Sequence, residues 1–342
     1  MLLHKSNSLL AKHLSEKIFD QLKDKKTWHG YTLDQAVRSN IENPDSAVGI
    51  YAGDEDSYET FSKIFNPVIA DYHGVDPEAV LYRSNFTDTG LPDLDPLKKN
   101  ILSTRIRVAR NIAGIPFTPH ISLADRQTIE EIAVKSFTGL TKGLQGNFFK
   151  LTALSPQQRR CFKTERISFS RGDRFQESAG INRDWPHARG FFISDPKDFI
   201  VWINEEDHLR IISMQRDGNL SQAFNRLAKG LACLETKMNF AFSRKLGYLT
   251  ACPSNLGTAM RASVHIRLPR LEKNRELLMG TARNYNLQIR GTCGEKTDIE
   301  DAVFDISNRQ RLGITEKECI TTLYNGIRAV LDLENHPCTG AC

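Results

Sequence analysis

Five arginines carry the first chemical signal in this chain of 342 residues. Arg105 and Arg107 stand in STRIRVAR (103–110), Arg210 in NEEDHLRIISM (204–214), Arg261 in RASVHI (261–266) and Arg290 in QIRGTCGE (288–295). All have β-branched and aliphatic neighbours typical of strands. An arginine in that setting either pairs with a buried carboxylate or converges with others on a polyanion whose flat oxygens suit its forked donors. One alone reads as an ion pair, whereas four such segments shift the balance toward a shared anion. Cys252 lies in ACPSNLGT (251–258), where Pro253 and Gly257 force a loop. There Ser254 can donate a hydroxyl hydrogen bond that favours thiolate over thiol, although a buried cysteine is more often just a small apolar residue. Glu205 and Glu206, followed by Asp207 and His208, put carboxylates at the end of the apolar run 199–203, a pattern that taken alone reads as a solvated strand end.

These residues need elements to hold them. Residues 7–80 carry helical signals: LLAKHLSEKIFDQLKDK has apolar residues at 3–4 spacing, TLDQAVRSNI opens on a capping threonine, and DSYETFSKIFNPVIADYH repeats the pattern. Proline and glycine gather in DTGLPDLDPLKKN (88–100), a linker by composition. From Ile101 onward, strand-like runs (ILSTRIRV, GFFISDPKDFIVWIN, RIISMQ, YLTAC, ASVHIRL, LQIRG, AVFDIS) alternate with helical ones (DRQTIEEIAVKSF, LSQAFNRLAKGLACLETKM, LEKNRELLMGTARNY, TEKECITTLYNGIRAVLDLE). Turns between adjacent strands predict mostly antiparallel pairing.

Composition bounds the rest. With 40% hydrophobic and 25% charged residues, the chain has the make-up of an ordinary globular protein. Its net charge of +5 is mild and spread along the chain, so no nucleic-acid surface is indicated. No apolar run approaches the ~20 residues that span a bilayer. The start MLLHKSNSLLAKHLSEK lacks the apolar core and cleavage pattern of a signal peptide, so a cytoplasmic protein without membrane contact is expected. Seven cysteines without a CxxC pair or zinc spacing read as reduced thiols, Cys338 and Cys342 of the tail included. No G-x-x-x-x-G-K-[ST] run occurs, which argues against a P-loop fold.

STRIRVARN, NEEDHLRIISM, CPSNLGT, RASVHI, RGTCGE and DISNRQRLG, in this order and spacing, resemble the phosphagen (guanidino) kinases, from about Leu9 to about Leu331. The likeness is greatest to the arginine-kinase branch, with creatine-kinase-branch features in AGDEDSYETF and TLDQAV. It implies an α+β fold: a small all-helical amino-terminal domain (1–90), a linker (91–100) and a larger carboxy-terminal domain (101–342) built on an antiparallel sheet flanked by helices. It also implies reversible phosphoryl transfer from ATP, as its Mg²⁺ complex, to a guanidino acceptor. Free L-arginine is the first choice; taurocyamine, lombricine, glycocyamine or creatine are the alternatives. A monomer or a homodimer is expected. The transition state of such a transfer is loose, so positioning and charge neutralisation dominate.

By the same resemblance, nucleotide contacts fall on Ser103, Thr104, Arg105, Ile106, Arg107, Arg166, Arg210, Arg261, His265 and Asp305, and on the loop from Arg290 through Gly291, Thr292, Cys293 and Gly294 to Glu295. Mg²⁺ would be held mainly by nucleotide and water. Glu206, Cys252 and Glu295 would grip the guanidinium, with Glu206 also the general base. The loop 43–53 is short, as in arginine kinases, and would bring Ser46, Ala47, Val48 and Tyr51 to the amino-acid end of the acceptor. Three positions depart from the family pattern: Arg166 and Ile193, where histidines are usual, and Cys293, where arginine or glycine is usual. His265 keeps the family identity as an adenine-side wall, and Asp305 reads as an orienting residue. The linker and the Gly291–Gly294 loop are expected to close over bound substrates and exclude water.

Overall fold

The computed structural model describes residues 6–141, 143–291 and 301–336. Its amino-terminal part holds helices α1 (Leu9–His13), α2 (Glu16–Leu22), α3 (Leu33–Glu42), α4 (Ser57–Thr60) and α5 (Ser62–His73). The run expected as one helical pattern over 9–25 is two short helices, because the Ser15 hydroxyl accepts from the Ile18 N–H and starts a second helix directly after Leu14. The threonine expected to cap TLDQAVRSNI does so: Thr32 and Gln35 form a reciprocal capping box. The core of this part is shared with the rest of the chain. Leu10, Leu33, Phe61 and Phe65 pack in one buried cluster with Leu246, Leu249, Ala251 and Leu256.

The larger part follows as β1 (Ile101–Arg110), α6 (Leu123–Phe137), β2 (Gly146–Lys150), α7 (Pro156–Thr164), α8 (Arg174–Ser178), β3 (Gly190–Ser194), β4 (Phe199–Ile203), β5 (Leu209–Gln215), α9 (Leu220–Glu235), β6 (Phe242–Ser243), β7 (Gly247–Tyr248), β8 (Met260–Arg267), α10 (Arg275–Asn284), β9 (Leu287–Arg290), β10 (Val303–Asn308) and α11 (Glu316–Asn335). Eight strands form one sheet in the order β2-β3-β4-β5-β1-β8-β10-β9, with β6 and β7 a separate pair. Every pairing is antiparallel, as the turn pattern implied.

The two faces of this sheet differ, and the difference creates the site. Ile106 and Val108 of β1, Val201 and Ile203 of β4, and Ile211 of β5 point to one face, where they pack with residues of α6, α9, α10 and α11. Alternation then sends Arg105 and Arg107 to the other face. Among the described residues that second face is covered over β3–β5, where Ile193, Ile200, Trp202 and Ile212 pack beneath Leu151, Leu154, Ile167 and Phe169. Over β1, β8 and β10 the described residues line a cleft.

Two expectations about elements change. YLTAC is not a strand beyond Tyr248, because side chains take one backbone group of each of three successive residues and leave no continuous ladder: Leu249 O accepts from Asn111, Thr250 O from the Tyr58 hydroxyl, and Ala251 N donates to Asp207. The edge strand β2 and the short helices α7 and α8 are absent from the pattern reading; α7 brings Phe162 to the cover over β3–β5, whereas α8 packs on α3.

Gly230 of α9 marks how closely the helical layer is seated, since a Cβ there would lie 2.3 Å from the Phe199 ring. Glycine to alanine at a free helix position gains about 1 kcal/mol, whereas forcing a methyl into a packed core costs about 1–3 kcal/mol. The second effect should win. Gly230→Ala is expected to lower the urea midpoint without changing turnover, because α9 lies on the face away from the cleft; a raised midpoint would show that α9 can shift freely.

Candidate active site

Antiparallel register lines up the cleft residues in rows across β1, β8, β10 and β9. Ser103, His265, Asp305 and Arg290 are successive partners in one row, Arg105, Ser263 and Ser307 form the next, and Arg107 faces Arg261 in a third. On the other side of β1, Met214 pairs with Arg105 and Arg210 with Ala109. Residues directly opposite in register share a face, so these side chains converge by construction. Ser103, Arg105, Arg107, Met214, Arg261, Ser263, His265, Asp305 and Arg290 line a cleft of about 490 Å³ together with Lys163, Arg166, Ser168 and Trp202.

The arginines fall into two kinds. Arg210 donates to Glu205 Oε2 at 2.6 Å and Glu206 Oε2 at 2.7 Å, and Arg261 to Asp305 Oδ2 at 2.7 Å. Arg105 and Arg107, by contrast, form no ion pair among the described residues. Arg105 Nε and Nη2 are buried without a hydrogen-bond partner, and its guanidinium stands 5.2 Å from the centroid of the Trp202 ring. Burial and the neighbouring charges of Arg210 and Arg261 push Arg105 down to about 10 and hold Arg107 well below the usual guanidinium range. Both readings left open by the sequence therefore occur in one site. The paired arginines frame it, and the unpaired ones are cations in want of an anion. Arg290 donates to Gln288 Oε1 at 2.9 Å and lines the same cleft.

The row of cations ends at the turn between β4 and β5. Asn204 takes a left-handed conformation, φ 56°, a region that asparagine tolerates better than most residues. Its carbonyl accepts from Arg189 Nε at 2.8 Å, and its amide donates to Arg126 O and Ala188 O at 3.0 and 2.8 Å. Glu206 is held from behind by the Thr118 hydroxyl on its carbonyl, and its own N–H donates to Glu205 Oε2 at 2.7 Å. Asp207 points inward and accepts from Asn111 Nδ2 and Ala251 N, both at 2.8 Å. The acidic run is thus divided: Glu205 and Glu206 face the cations, while Asp207 ties the turn to the Cys252 loop.

Cys252 is buried, with Sγ 3.1 Å from Ser254 Oγ. Burial, with the Glu206 charge adding to it, pushes the thiol up to about 12, and the serine hydrogen bond pulls the other way. Ser254 acts in the expected direction but is outweighed, so in the ligand-free protein Cys252 is a thiol and not the expected thiolate. A cation seated between Cys252 and Glu206 would reverse that balance. The loop is braced from three sides. His73 bonds to Pro253 O at 2.9 Å, Arg311 Nη1 donates to Ser254 O at 2.9 Å, and the Tyr58 hydroxyl donates to Thr250 O at 2.7 Å.

The 43–53 loop reaches the same place. Tyr51 packs with Cys252, Ala179 and Ile181 in one buried cluster, and burial, followed by the Cys252 and Glu206 charges, keeps its phenol neutral. Ser46 is buried, Ala47 exposed and Val48 half-buried. The carbonyls of Ala47 and Val48 each accept one N–H, from Leu9 and Leu10 respectively, both at 3.0 Å. Arg174 pairs with Asp45 and donates to Asn43 Oδ1 at 3.1 Å, pinning this loop to α8.

Several expected contacts are corrected by alternation along β1. Thr104 and Ile106 lie on the helix-covered face: Thr104 Oγ1 donates to Asp217 O at 2.8 Å and Ile106 is in the core, so neither side chain reaches the cleft. Ile193 is buried on β3 beneath the 151–169 cover, away from it. Arg166 does line the cleft. Thr292, Cys293, Gly294 and Glu295, like Cys338 and Cys342, lie outside the described residues. Trp202, Lys163, Ser168 and Ser263 also line the cleft and were not anticipated. Ser263 was legible, since it stands between Arg261 and His265 at a spacing of two.

A sheet face carrying half-buried arginines without ion pairs, beside a carboxylate–thiol corner, offers charges that suit a polyanion and, next to it, a cation. Residues 4–70 match the N-terminal domain and residues 128–337 the C-terminal catalytic domain of ATP:guanido phosphotransferases. Arginine kinase of Limulus polyphemus is 43% identical over 337 residues, covering 96% of this chain and 92% of its own length. Arginine kinase of Artemia franciscana is 44% identical over 329 residues, with coverage of 96% and 92%. Among solved structures, lombricine kinase superposes with a TM-score of 0.93 at 34% identity, covering 97% of this chain and 93% of its own. The duplicated taurocyamine kinase of Schistosoma mansoni, bound to transition-state-analogue components, gives 0.91 at 37% identity, with 97% of this chain matching 47% of that one. The chain belongs to the ATP:guanido phosphotransferase family, the phosphagen kinases, and is a phosphotransferase acting on a guanidino acceptor.

Asp207 gives the site a measurable pH signature. Burial, reinforced by the Glu206 charge, pushes its carboxyl up to about 7, against ~3.9 for an unfolded aspartate. The folded state therefore holds that proton more tightly, which contributes stability fully present below the unfolded value and lost as pH rises through 7. Asp207→Asn should flatten this decline, so that urea midpoints at pH 5 and pH 8 differ less in the variant than in the parent. Equal slopes would mean that Asp207 does not titrate in this range.

Proposed function

We propose that this protein reversibly transfers the γ-phosphoryl group of MgATP to free L-arginine and so buffers ATP. The observation that carries the reading is a juxtaposition: Arg105 and Arg107, cations without ion pairs among the described residues, stand beside Arg210, whose ion pairs hold Glu205 and Glu206, and Glu206 in turn lies beside Cys252. Arg105, Arg107, Arg261, Arg290 and Arg210 would hold the polyphosphate, neutralising charge that spreads over the transferring group. Among the described residues no group of three or more His, Cys, Asp or Glu side chains is placed to hold a metal ion. In this reading Mg²⁺ enters as part of the nucleotide substrate.

Glu206 holds Arg210 through Oε2 and would use Oε1 for the acceptor guanidinium, with Glu295 gripping it from the other side. The guanidinium nitrogen attacks phosphorus, the bond to the ADP oxygen breaks, and the nitrogen's proton passes to Glu206. Because one side chain grips acceptor and clamp together, nucleophile and phosphate are aligned by a single pair. Cys252, with a cation beside it, loses the penalty that keeps it a thiol and becomes a second negative contact. Tyr51 and the loop 43–53 would meet the amino-acid end. The division into a helical unit (1–90), a linker (91–100) and a catalytic unit (101–342) belongs to this reading, with closure over substrates excluding water. Cytoplasmic placement accords with the free thiols of Cys161, Cys233, Cys252 and Cys319. No helix of the described residues is long and apolar enough to cross a membrane.

Two experiments test the reading. In a panel of guanidines scored by ADP release, arginine should exceed creatine by a few hundredfold or more, because creatine leaves a buried carboxylate and the amino-acid end of the pocket without partners, at about 1–3 kcal/mol per unmet group. Faster turnover of taurocyamine or creatine would overturn the choice of arginine. Arg105→Ala should lose on the order of 10²-fold in turnover, typical of a preorganised charge, while the ligand-free protein is no less stable, because removing Arg105 relieves repulsion. A lower unfolding midpoint with normal turnover would make Arg105 structural.

A further inference from the structure

We propose that Arg166 reads the nucleobase end of the cleft and makes the protein accept 6-oxopurine triphosphates, those of guanosine and inosine, alongside ATP. This rests on the nucleotide site proposed above. The rows of the sheet set the polarity of that site. Glu206 and Cys252 lie past the Arg110 end of β1, so the phosphates belong with Arg107, Arg261 and Arg210, and the base with the Ser103 and His265 end of the row farthest from them, Arg290 at its other end being left to the phosphates. Four residues of strand separate Ser103 from Arg107, about 13 Å.

Arg166 faces that far row. It lines the same cleft as Ser103, His265 and Asp305, and its charge is near enough to lower both Arg105 and His265. The backbone aims it there. α7 ends at Thr164, Arg166 takes φ 56°, and its N–H donates to Lys163 O at 3.0 Å. The next residue is fixed: Ile167 N donates to Phe162 O at 2.9 Å, its carbonyl accepts from Trp202 Nε1 at 2.5 Å, and its side chain is buried. A left-handed conformation is uncommon for arginine and is held by these anchors, not by the residue's own preference. The anchored backbone leaves the guanidinium exposed along the cleft wall.

A planar fork of donors at this position discriminates between purines. Guanine and hypoxanthine present two adjacent acceptors, O6 and N7, which an arginine meets with two parallel N–H bonds; adenine presents N7 beside an N6 donor, so only one of the two can form. Adenine remains acceptable through N7 or by stacking under the guanidinium. The 6-oxopurines gain an interaction that a side chain without the fork does not give them. Lysine keeps the positive charge and loses the fork. Asparagine loses the charge and tolerates the left-handed backbone.

The test is the ratio of kcat/KM for GTP over ATP, with arginine as acceptor, in the parent, Arg166→Lys and Arg166→Asn, with the direct affinity of each nucleotide measured by equilibrium binding. The parent should use GTP and ITP measurably, and the ratio should fall about tenfold in Arg166→Asn, the range expected for one bidentate base contact, and by less in Arg166→Lys, whose ammonium still reaches O6 and N7 without the planar fork. Parallel losses for ATP and GTP would assign Arg166 to phosphate or ribose and overturn the inference. So would an unchanged ratio, or a parent that uses ATP but not GTP or ITP. Failure of ATP to support phosphorylation of any guanidine would instead sink the underlying site and this inference with it.

Discussion

Buried like charges without counter-ions are the constraint on which this structure turns. Arg105 and Arg107 are brought partly out of water beside Arg210 and Arg261, and that desolvation together with the two neighbouring charges lowers the proton affinity of both. Such an arrangement costs free energy in the empty protein and is tolerated only because everything around it is over-determined. The central strand that carries Arg105 and Arg107 is paired on both sides, by β5 and β8. Its opposite face is packed against α9. The carboxylates of Glu205, Glu206 and Asp305 neutralise the flanking arginines but not the central pair. The imbalance is one that a bound polyphosphate would relieve.

The second compartment depends on both parts of the chain. The Cys252 loop is held by His73 and Tyr58 of the amino-terminal part and by Arg311 of the larger one. Ala52 N donates to Ala251 O at 2.8 Å and extends the same brace. A core shared between the two parts accounts for this, because the helical unit buries its apolar face against Leu246, Leu249 and Leu256. Neither compartment is complete without the other. Arg210 and Glu206 join them through one ion pair with little exposed surface, 8% and 14% of the respective side chains.

Much of the site was legible because strands report their own faces. Arg105 and Arg107, and Arg261 with His265, are spaced by even numbers, so once the runs are read as strands their side chains must share a face. The same alternation excludes Thr104 and Ile106, which motif resemblance alone had carried into the site. YLTAC was misread since its composition suits a strand while its backbone groups are claimed by the side chains of Asn111, Tyr58 and Asp207, all distant in sequence. β2 was missed for the opposite reason: GNFFK is short and flanked by polar residues, and it pairs only because β3 offers it an edge.

By itself the sequence determined most of the elements, the antiparallel pairing and the residue types suited to the chemistry, because strand alternation, helix capping and the donor geometry of arginine are local properties. Only the tertiary structure decided which charges are paired and what state the groups take. Glu205 and Glu206 turn toward Arg210 while Asp207 turns inward, and no spacing distinguishes three consecutive acids. Ser254 favours a thiolate at Cys252, yet burial and Glu206 outweigh it. Desolvation and the sum of surrounding charges depend on which parts of the chain meet, and that is set by packing across more than a hundred residues of sequence.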